Sequence, residues 1–314
     1  MLVGTRELEV FEKFRPRMEA IAYRLLSSAS DAEDAVQDTY LRWQAADHEN
    51  IETPEAWLTK VLTNLCLNRL TSAKARRETY VGQWLPEPVF AGDRMLGPSE
   101  TVEQRESVSI AMLTLMERLT ANERVVYVLR EAFGYAHSEI AEMLDLTEAN
   151  CQQIYRRAKQ HLATGRTRVE IDAAGARRIV EEFLAAALSG NTDSLVKMLS
   201  DDVVSAGDAG GVFISLPRPV TGALRVARFL RTLLTPDDAK RDMIGGSPSL
   251  FAEVVNGVPA LVVVAAGRVA VVVTLEVTTD GIAAVHTLAN PAKLDRATRQ
   301  WATAAHGEPV IESW

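Results

Sequence analysis

The apolar residues of this chain change their repeat part-way along, and that change limits the folds open to it. From Glu7 to about Leu162 they recur with the 3.6-residue period of amphipathic helices. From Ser249 on they come in β-rich runs instead: LFAEVV, VPALVVVAA, VAVVVTLEV and IAAVHTLA. Asn256-Gly257, Gly267-Arg268 and Asp280-Gly281 divide these runs. Asn-Gly between two such runs is a strong hairpin signal, because both central residues of the tight turn take positive φ. The pattern predicts a multidomain chain, with two all-α domains followed by an α+β domain built on a curved antiparallel sheet.

Two breaks set the expected boundaries. Residues 82–100, GQWLPEPVFAGDRMLGPSE, hold three prolines and three glycines, which no long helix accommodates. A second joint lies at ATGRTRVEIDAAG, residues 163–175. The expected division is therefore 1–81, a linker over 82–104, 105–165, 172–296 and a tail over 297–314. Two helical patterns, ARRIVEEFLAAALSG and NTDSLVKMLSDD, open the last domain.

At 314 residues, with 47% hydrophobic and 24% charged residues, disorder throughout is excluded. No run approaches the 18 apolar residues of a membrane span, and MLVGTRELEVFEKF mixes charged with apolar residues instead of forming a signal-peptide core. A soluble, cytoplasmic protein without membrane contact is expected. The two cysteines, Cys66 and Cys151, lie far apart in helical patterns and suggest neither a disulfide nor a metal site. A net charge of -8 argues against nonspecific coating of nucleic acid, so any such contact must come from local basic patches.

The stretch DAEDAVQDTYLRW, residues 31–43, is acidic on one face. At about 100° per residue, Ala32, Val36, Thr39, Tyr40 and Trp43 fall on the core side. Asp34, Gln37, Asp38 and Leu41 fall on the other. Asp31 is placed to cap the helix, and Asp34 suits the positive end of its dipole. Such acids can be a plain solvated face. Leu41 among them instead matches a surface that meets a basic, partly apolar protein partner.

The next helix, TPEAWLTKVLTNLCLNRLTSAKARR, starts with Thr53 as N-cap and Pro54 at its first position. Leu58, Val61, Leu62 and Leu65 form its buried stripe. Lys60 and Asn64 face outward, and Lys74, Arg76 and Arg77 make a basic end that also suits the dipole. The polar loop AADHENIETPEA leads in, and together they could hold an unpaired base and clamp its backbone. Trp57 is either a stacking residue or a core anchor.

Residues 121–162, ANERVVYVLREAFGYAHSEIAEMLDLTEANCQQIYRRAKQHL, read as a helix-turn-helix. Gly134 breaks the first helix, a short second helix buries Ile140, Met143 and Leu144, and Thr147 caps the third. The third helix buries Cys151, Ile154, Ala158 and Leu162. It offers Asn150, Gln152, Gln153, Arg156, Arg157 and Lys159, whose amide and guanidinium groups suit base edges while basic side chains hold phosphates. A three-helix bundle with a basic surface is the plainer alternative.

Taken in this order, these residues resemble bacterial sigma factors of the sigma-70 class, in the compact extracytoplasmic-function group that has only regions 2 and 4. The resemblance covers roughly the first half of the chain. It implies that DAEDAVQDTYLRW docks on the β′ clamp helices of core RNA polymerase and that region 4 lies near the β flap. It also implies that residues 46–77 recognise and open the promoter −10 element, and that the third helix of the helix-turn-helix reads the −35 element. No cofactor is implied.

WLPEP, residues 84–88, and NPAKL, residues 290–294, resemble signatures of a sigma subgroup with a C-terminal SnoaL-like domain, a cone fold that modulates the factor in cis. The contacts implied are Trp84, Leu85 and Pro86 on the linker, with Asp208, Gly210, Gly211, Asn290, Pro291, Lys293 and Leu294 on the domain. The subgroup's Asp-Gly-Gly-Gly-Lys stretch is here DAGGV, residues 208–212, without the lysine and one glycine. Read without the resemblance, WLPEP is a stiff linker and NPAKL a strand terminator. Trp84 and Leu85 are large apolar residues in need of burial, and the C-terminal domain is the available surface.

A one-component helix-turn-helix regulator with a small-ligand domain is the alternative function, and an unidentified small ligand of the C-terminal domain fits either reading. Such regulators usually dimerise and need no polymerase-docking helix. Asp208 and His286 would be the candidates for catalysis in the cone, but no spacing ties them into an acid-base pair, and a non-enzymatic protein is expected.

Overall fold

Start and stop signals local to the chain place most helices. The computed structural model describes residues 3–78, 80, 82–97, 101–162, 169, 171–211 and 218–314, and their side chains except those of 3–5, 73–78 and 102. The chain divides into two units, Met1–Thr79 with Gly92–Thr164, and Tyr80–Ala91 with Gly165–Trp314.

The first unit is helical: α1 (Val3–Leu26), α2 (Ala29–Gln44), α3 (Pro54–Glu78), α4 (Val102–Glu106), α5 (Ile110–Met116), α6 (Ala121–Glu131), α7 (His137–Met143) and α8 (Glu148–Leu162). Ser28, not Asp31, caps α2, its hydroxyl accepting the Asp31 amide at 3.0 Å. The chain turns at Ser27 through φ 56°, which sets the cap three residues before the acid. α3 begins at Pro54 as expected, and Thr147 caps α8 by accepting the Asn150 amide at 3.3 Å.

The helices before and after the linker share one core. Fully buried Arg24 on α1 donates to the Ser107 hydroxyl at 2.7 Å and to the Leu96 and Gln104 carbonyls at 2.6 and 3.3 Å. Arg124 on α6, also buried, donates to the Arg24 carbonyl at 3.2 Å, the Ser27 hydroxyl and the Glu117 carboxylate. A buried cation without partners is strongly destabilising, so these groups constrain how α1, α6 and the segment after the linker meet. Burial pushes both guanidinium groups below their ordinary pKa.

The second unit holds α9 (Ala173–Leu188), α10 (Thr192–Val196), β1 (Leu199–Asp208), β2 (Val220–Thr221), α11 (Ala223–Leu234), α12 (Asp238–Ile244), β3 (Ser249–Val255), β4 (Val258–Ala265), β5 (Arg268–Thr278), β6 (Gly281–Leu288) and α13 (Pro291–Thr303). The four strands expected from the sequence form the meander β3 to β6.

The sheet order is β2-β1-β6-β5-β4-β3, and here the structure corrects the expectation of an antiparallel sheet. β1 pairs parallel to β6, so the sheet is mixed. The helical pattern over residues 191–202 is also corrected: only Thr192–Val196 is helical, and β1 takes over from Leu199. Burial beside β6 overrides local helix propensity there.

Both faces of the sheet are covered, which explains why the strands read as nearly unbroken apolar runs. Leu250 faces the core with Phe183, Leu230, Leu261 and Val285. Its neighbour Phe251 points the other way and meets Trp301 of α13, ring centroids 4.9 Å apart.

Residues 297–314, expected as a C-terminal tail, pack on the second unit. Trp301 and Trp314 are buried, Trp314 donates from its indole to the Leu234 carbonyl at 2.9 Å, and Ile311 bridges to Leu250 of edge strand β3. The linker is likewise divided: residues 80–91 belong to the second unit, and those from Gly92 to the first. Phe90 bridges to Val255 at the other end of β3. Linker and tail thus cover an edge that would otherwise offer unpaired backbone groups.

Candidate functional site

In the first unit, α2 buries Ala32, Val36, Thr39 and Trp43 and leaves Asp34 and Gln37 exposed. Leu41 is 54% exposed beside them. Asp38 is half-buried and accepts from Arg69 of α3 at 2.7 Å, while Asp34 lies 4.0 Å from the same guanidinium. Arg69, which the sequence reading passed over, therefore holds the acidic row in place. The face is a ledge of carboxylates and one amide around a bare leucine.

On α3, Leu58, Leu62 and Leu65 are buried. Trp57 is half-buried, and its ring lies 5.5 Å from that of Trp43. It is partly engaged as a core anchor. Asn64 is half-buried. Lys60 points outward but is occupied: its ammonium donates to Asp145 Oδ1 and to the Glu142 carbonyl, both at 3.1 Å, at the α7–α8 turn. The side chains of Lys74, Arg76 and Arg77 lie outside the described residues.

Helix α8 buries the four positions expected of it, Cys151, Ile154, Ala158 and Leu162. Asn150, Gln153, Arg156, Arg157 and Lys159 are exposed, and half-buried Gln152 donates to Glu148 at 3.2 Å. Lys159 lies 3.9 Å from Glu131. Asp145 takes φ 55° in the turn that sets α8 across α7.

The second unit contains a polar cluster that fastens the linker. Asp208, at the end of β1, has a fully buried side chain and accepts four hydrogen bonds. The donors are the Tyr80 hydroxyl at 2.6 Å, Lys293 Nζ at 2.6 Å, the Leu85 amide at 3.0 Å and the Gly210 amide at 3.1 Å. Lys293 also donates to the Leu85 carbonyl at 2.6 Å and sits 4.1 Å over the Trp84 ring.

Asn290 works in two directions. It caps α13 by accepting the Ala292 amide at 3.1 Å, and it donates to the Tyr80 hydroxyl at 2.7 Å. Burial, then the Asp208 carboxylate, push the Tyr80 hydroxyl above its usual pKa. Gly210, at φ 62°, admits this approach: a Cβ there would lie 2.5 Å from Asn290 Cγ. Gly211 completes the turn at φ 74°. Val212, where the subgroup's lysine is missing, lies outside the described residues. Pro291 starts α13 and is exposed, while Leu294 is buried beneath it.

Further along, Leu85, Pro86, Val89 and Phe90 are all buried. The Val89 amide donates to Asn256 Oδ1 at 2.9 Å, and the Asn256 amide returns a bond to the Val89 carbonyl at 2.8 Å. Asn256 was legible as a hairpin turn residue, but not as a linker clamp. Tyr80 was missed altogether, since nothing local marks a tyrosine whose partners lie 128 and 210 positions away.

The sequence matches the sigma-70 region 2 family over residues 10–76 and the sigma-70 region 4 family over residues 109–162. The ECF RNA polymerase sigma factor SigJ of Mycobacterium tuberculosis is 37% identical over 229 residues, 73% of this chain and 73% of that protein. The probable ECF RNA polymerase sigma factor SigI of the same organism is 30% identical over 281 residues, 88% of this chain and 90% of SigI. The crystal structure of the M. tuberculosis SigJ matches with a TM-score of 0.70 at 29% identity, covering 92% of this chain and 98% of that one. Among the described residues no helix is long and apolar enough to cross a membrane. The chain belongs to the extracytoplasmic-function sigma factors, which direct RNA polymerase to promoters, and it carries a C-terminal SnoaL-like domain.

Proposed function

We propose that this sigma factor divides its labour by charge and is tuned in cis by the domain that holds its linker. Asp34, Gln37, Asp38 and Leu41 dock on the β′ clamp helices of core polymerase, a role supported by an acidic ledge with an exposed leucine. Trp57, Lys60, Asn64 and the basic end of α3 serve the −10 element. Asn150, Gln152, Gln153, Arg156, Arg157 and Lys159 serve the −35 element, with region 4 near the β flap.

The two promoter elements lie about 25 base pairs apart by their names, roughly 85 Å at 3.4 Å per pair. Helices joined by the Lys60–Asp145 contact at 3.1 Å cannot span that distance, so α3 and α8 part when the promoter is engaged. That pair is solvated and costs little to break, so the parting works mainly against the core that α1 and α6 share through Arg24 and Arg124. The free chain is in this reading a closed form, and its opening is the step available for control.

The observation that carries cis-regulation is the anchoring of Leu85 by the buried Asp208–Lys293 pair. A linker gripped by one domain cannot freely follow the parting of the groups it connects. With its carboxylate committed to four donors, Asp208 acts as an anchor, and the reading is of a non-enzymatic domain. Removing the domain would bare Leu85, Val89 and Phe90, so point variants are the cleaner probe.

Run-off transcription with core RNA polymerase tests both parts. Asp34→Lys with Asp38→Lys should abolish polymerase binding while the chain stays folded, and retained affinity refutes the docking role. Lys293→Met should change transcript output while polymerase affinity is kept. Output equal to that of the parent chain, with the linker shown to be loosened, removes cis-regulation.

A further inference from the structure

The SnoaL-like domain contains a cavity of about 430 Å³, well within the size range of small-molecule sites. Its floor is the inner face of the sheet, where cross-strand register brings Gly207 of β1, Thr287 of β6 and Val273 of β5 into one row. Val271, Val263 and Leu250 form the next row. Phe229 and Leu233 of α11, Ile244 of α12 and Trp314 close it over.

Three hydroxyls break this apolar lining, and that of Thr232 is bonded to the Arg228 carbonyl at 3.0 Å, which leaves two. Ser205, only 2% exposed, has a buried Oγ with no hydrogen-bond partner among the described residues, and so does Thr287 Oγ1. A buried hydroxyl left unpaired costs about 1–3 kcal/mol, which makes two in one cavity notable when serine or threonine could be alanine or valine. Gly207, opposite Thr287 in the register, adds no side chain and leaves space beside that hydroxyl. The cation at the rim, Lys240, is already spent on the Thr232 and Thr235 carbonyls, both at 2.6 Å, and on Asp237 at 3.0 Å. Asp208, the acid in the wall, is spent on the linker. An ionised ligand would therefore find no free counter-charge among the lining residues described.

From the paired orphan hydroxyls in an apolar cavity, we propose that this domain binds a neutral, mainly hydrocarbon small molecule through one carbonyl or hydroxyl oxygen held by Ser205 and Thr287. Gln83, Asp208 and Ala209 also line the cavity. A bound molecule thus touches the segment that carries the linker anchor, and in calling it an effector the inference rests on the cis-regulatory reading. Binding itself does not.

The test uses the full chain and prodan, a neutral naphthyl ketone whose emission shifts to the blue in apolar surroundings. Saturable blue-shifted emission is expected, with a thermal midpoint that rises with prodan concentration. Val271→Phe, and independently Leu233→Trp from the opposite wall, should weaken binding at least tenfold by filling the space. Ser205→Ala with Thr287→Val should weaken it about five- to tenfold while leaving the melting temperature of the empty protein unlowered. Absence of saturable emission, affinity undiminished by both filling variants, or affinity unchanged without the hydroxyls overturns the proposal. Because these readouts need no polymerase, prodan binding with unaltered transcription would leave the site standing and sink only its regulatory role.

Discussion

Lys293→Met isolates the linker anchor. The substitution keeps the aliphatic stem that packs beside Trp84 and deletes the ammonium, which donates to Asp208 and to the Leu85 carbonyl at 2.6 Å each and lies 4.1 Å over the Trp84 ring. It strands the Asp208 carboxylate, whose side chain is fully buried, with the Tyr80, Leu85 and Gly210 donors alone. Removing one partner of a buried pair costs about 3–5 kcal/mol. The loss should fall on local opening of residues 82–91 before it falls on the whole unit, because the linker can detach without unfolding the sheet. At about 1.4 kcal/mol per factor of ten, the Leu85 amide should exchange its hydrogen at least a hundred times faster. Hydrogen exchange read by mass spectrometry over that segment measures this, with β4 amides as the internal control. The double variant Asp208→Asn with Lys293→Met, which buries no lone charge, should recover most of the protection. Leu85 exchange within about threefold of the parent in Lys293→Met would refute the assignment of this pair as the anchor.

Three further outcomes follow from the same contacts. Gly210→Ala places a Cβ 2.5 Å from Asn290 Cγ at φ 62°, and should lower the stability of the second unit by about 2 kcal/mol or more in urea unfolding. Arg24→Met removes the donor to Ser107, Leu96 and Gln104 from the core of the first unit, leaves those neutral acceptors unpaired and should cost about 1–3 kcal/mol, with a lowered melting midpoint. Arg156→Ala and Arg157→Ala, both exposed on α8, should each weaken promoter binding and, where the contact is to phosphate, reduce the slope of log affinity against log salt by about one.

Features legible in the sequence were those whose cause lies within a few residues. Pro54 and Thr147 set helix starts because a ring or a hydroxyl acts on backbone groups one to three positions away. The buried stripe of α8 followed from its period alone. Asn256-Gly257 marked its hairpin because positive φ is a property of the turn itself, and both residues have it, at 52° and 74°. The acidic ledge of α2 was equally visible, whereas Arg69 beneath it was not.

Tertiary structure alone decided which way β1 runs beside β6, where the linker belongs, and what Asp208 is for. Those outcomes depend on partners far away in sequence: Tyr80, Leu85 and Lys293 reach Asp208 across 128, 123 and 85 positions. Helix periods and turn chemistry act through bonds and near neighbours, so one segment contains its own answer. Strand pairing and the satisfaction of a buried charge depend on what else needs burial, and only the assembled core settles that.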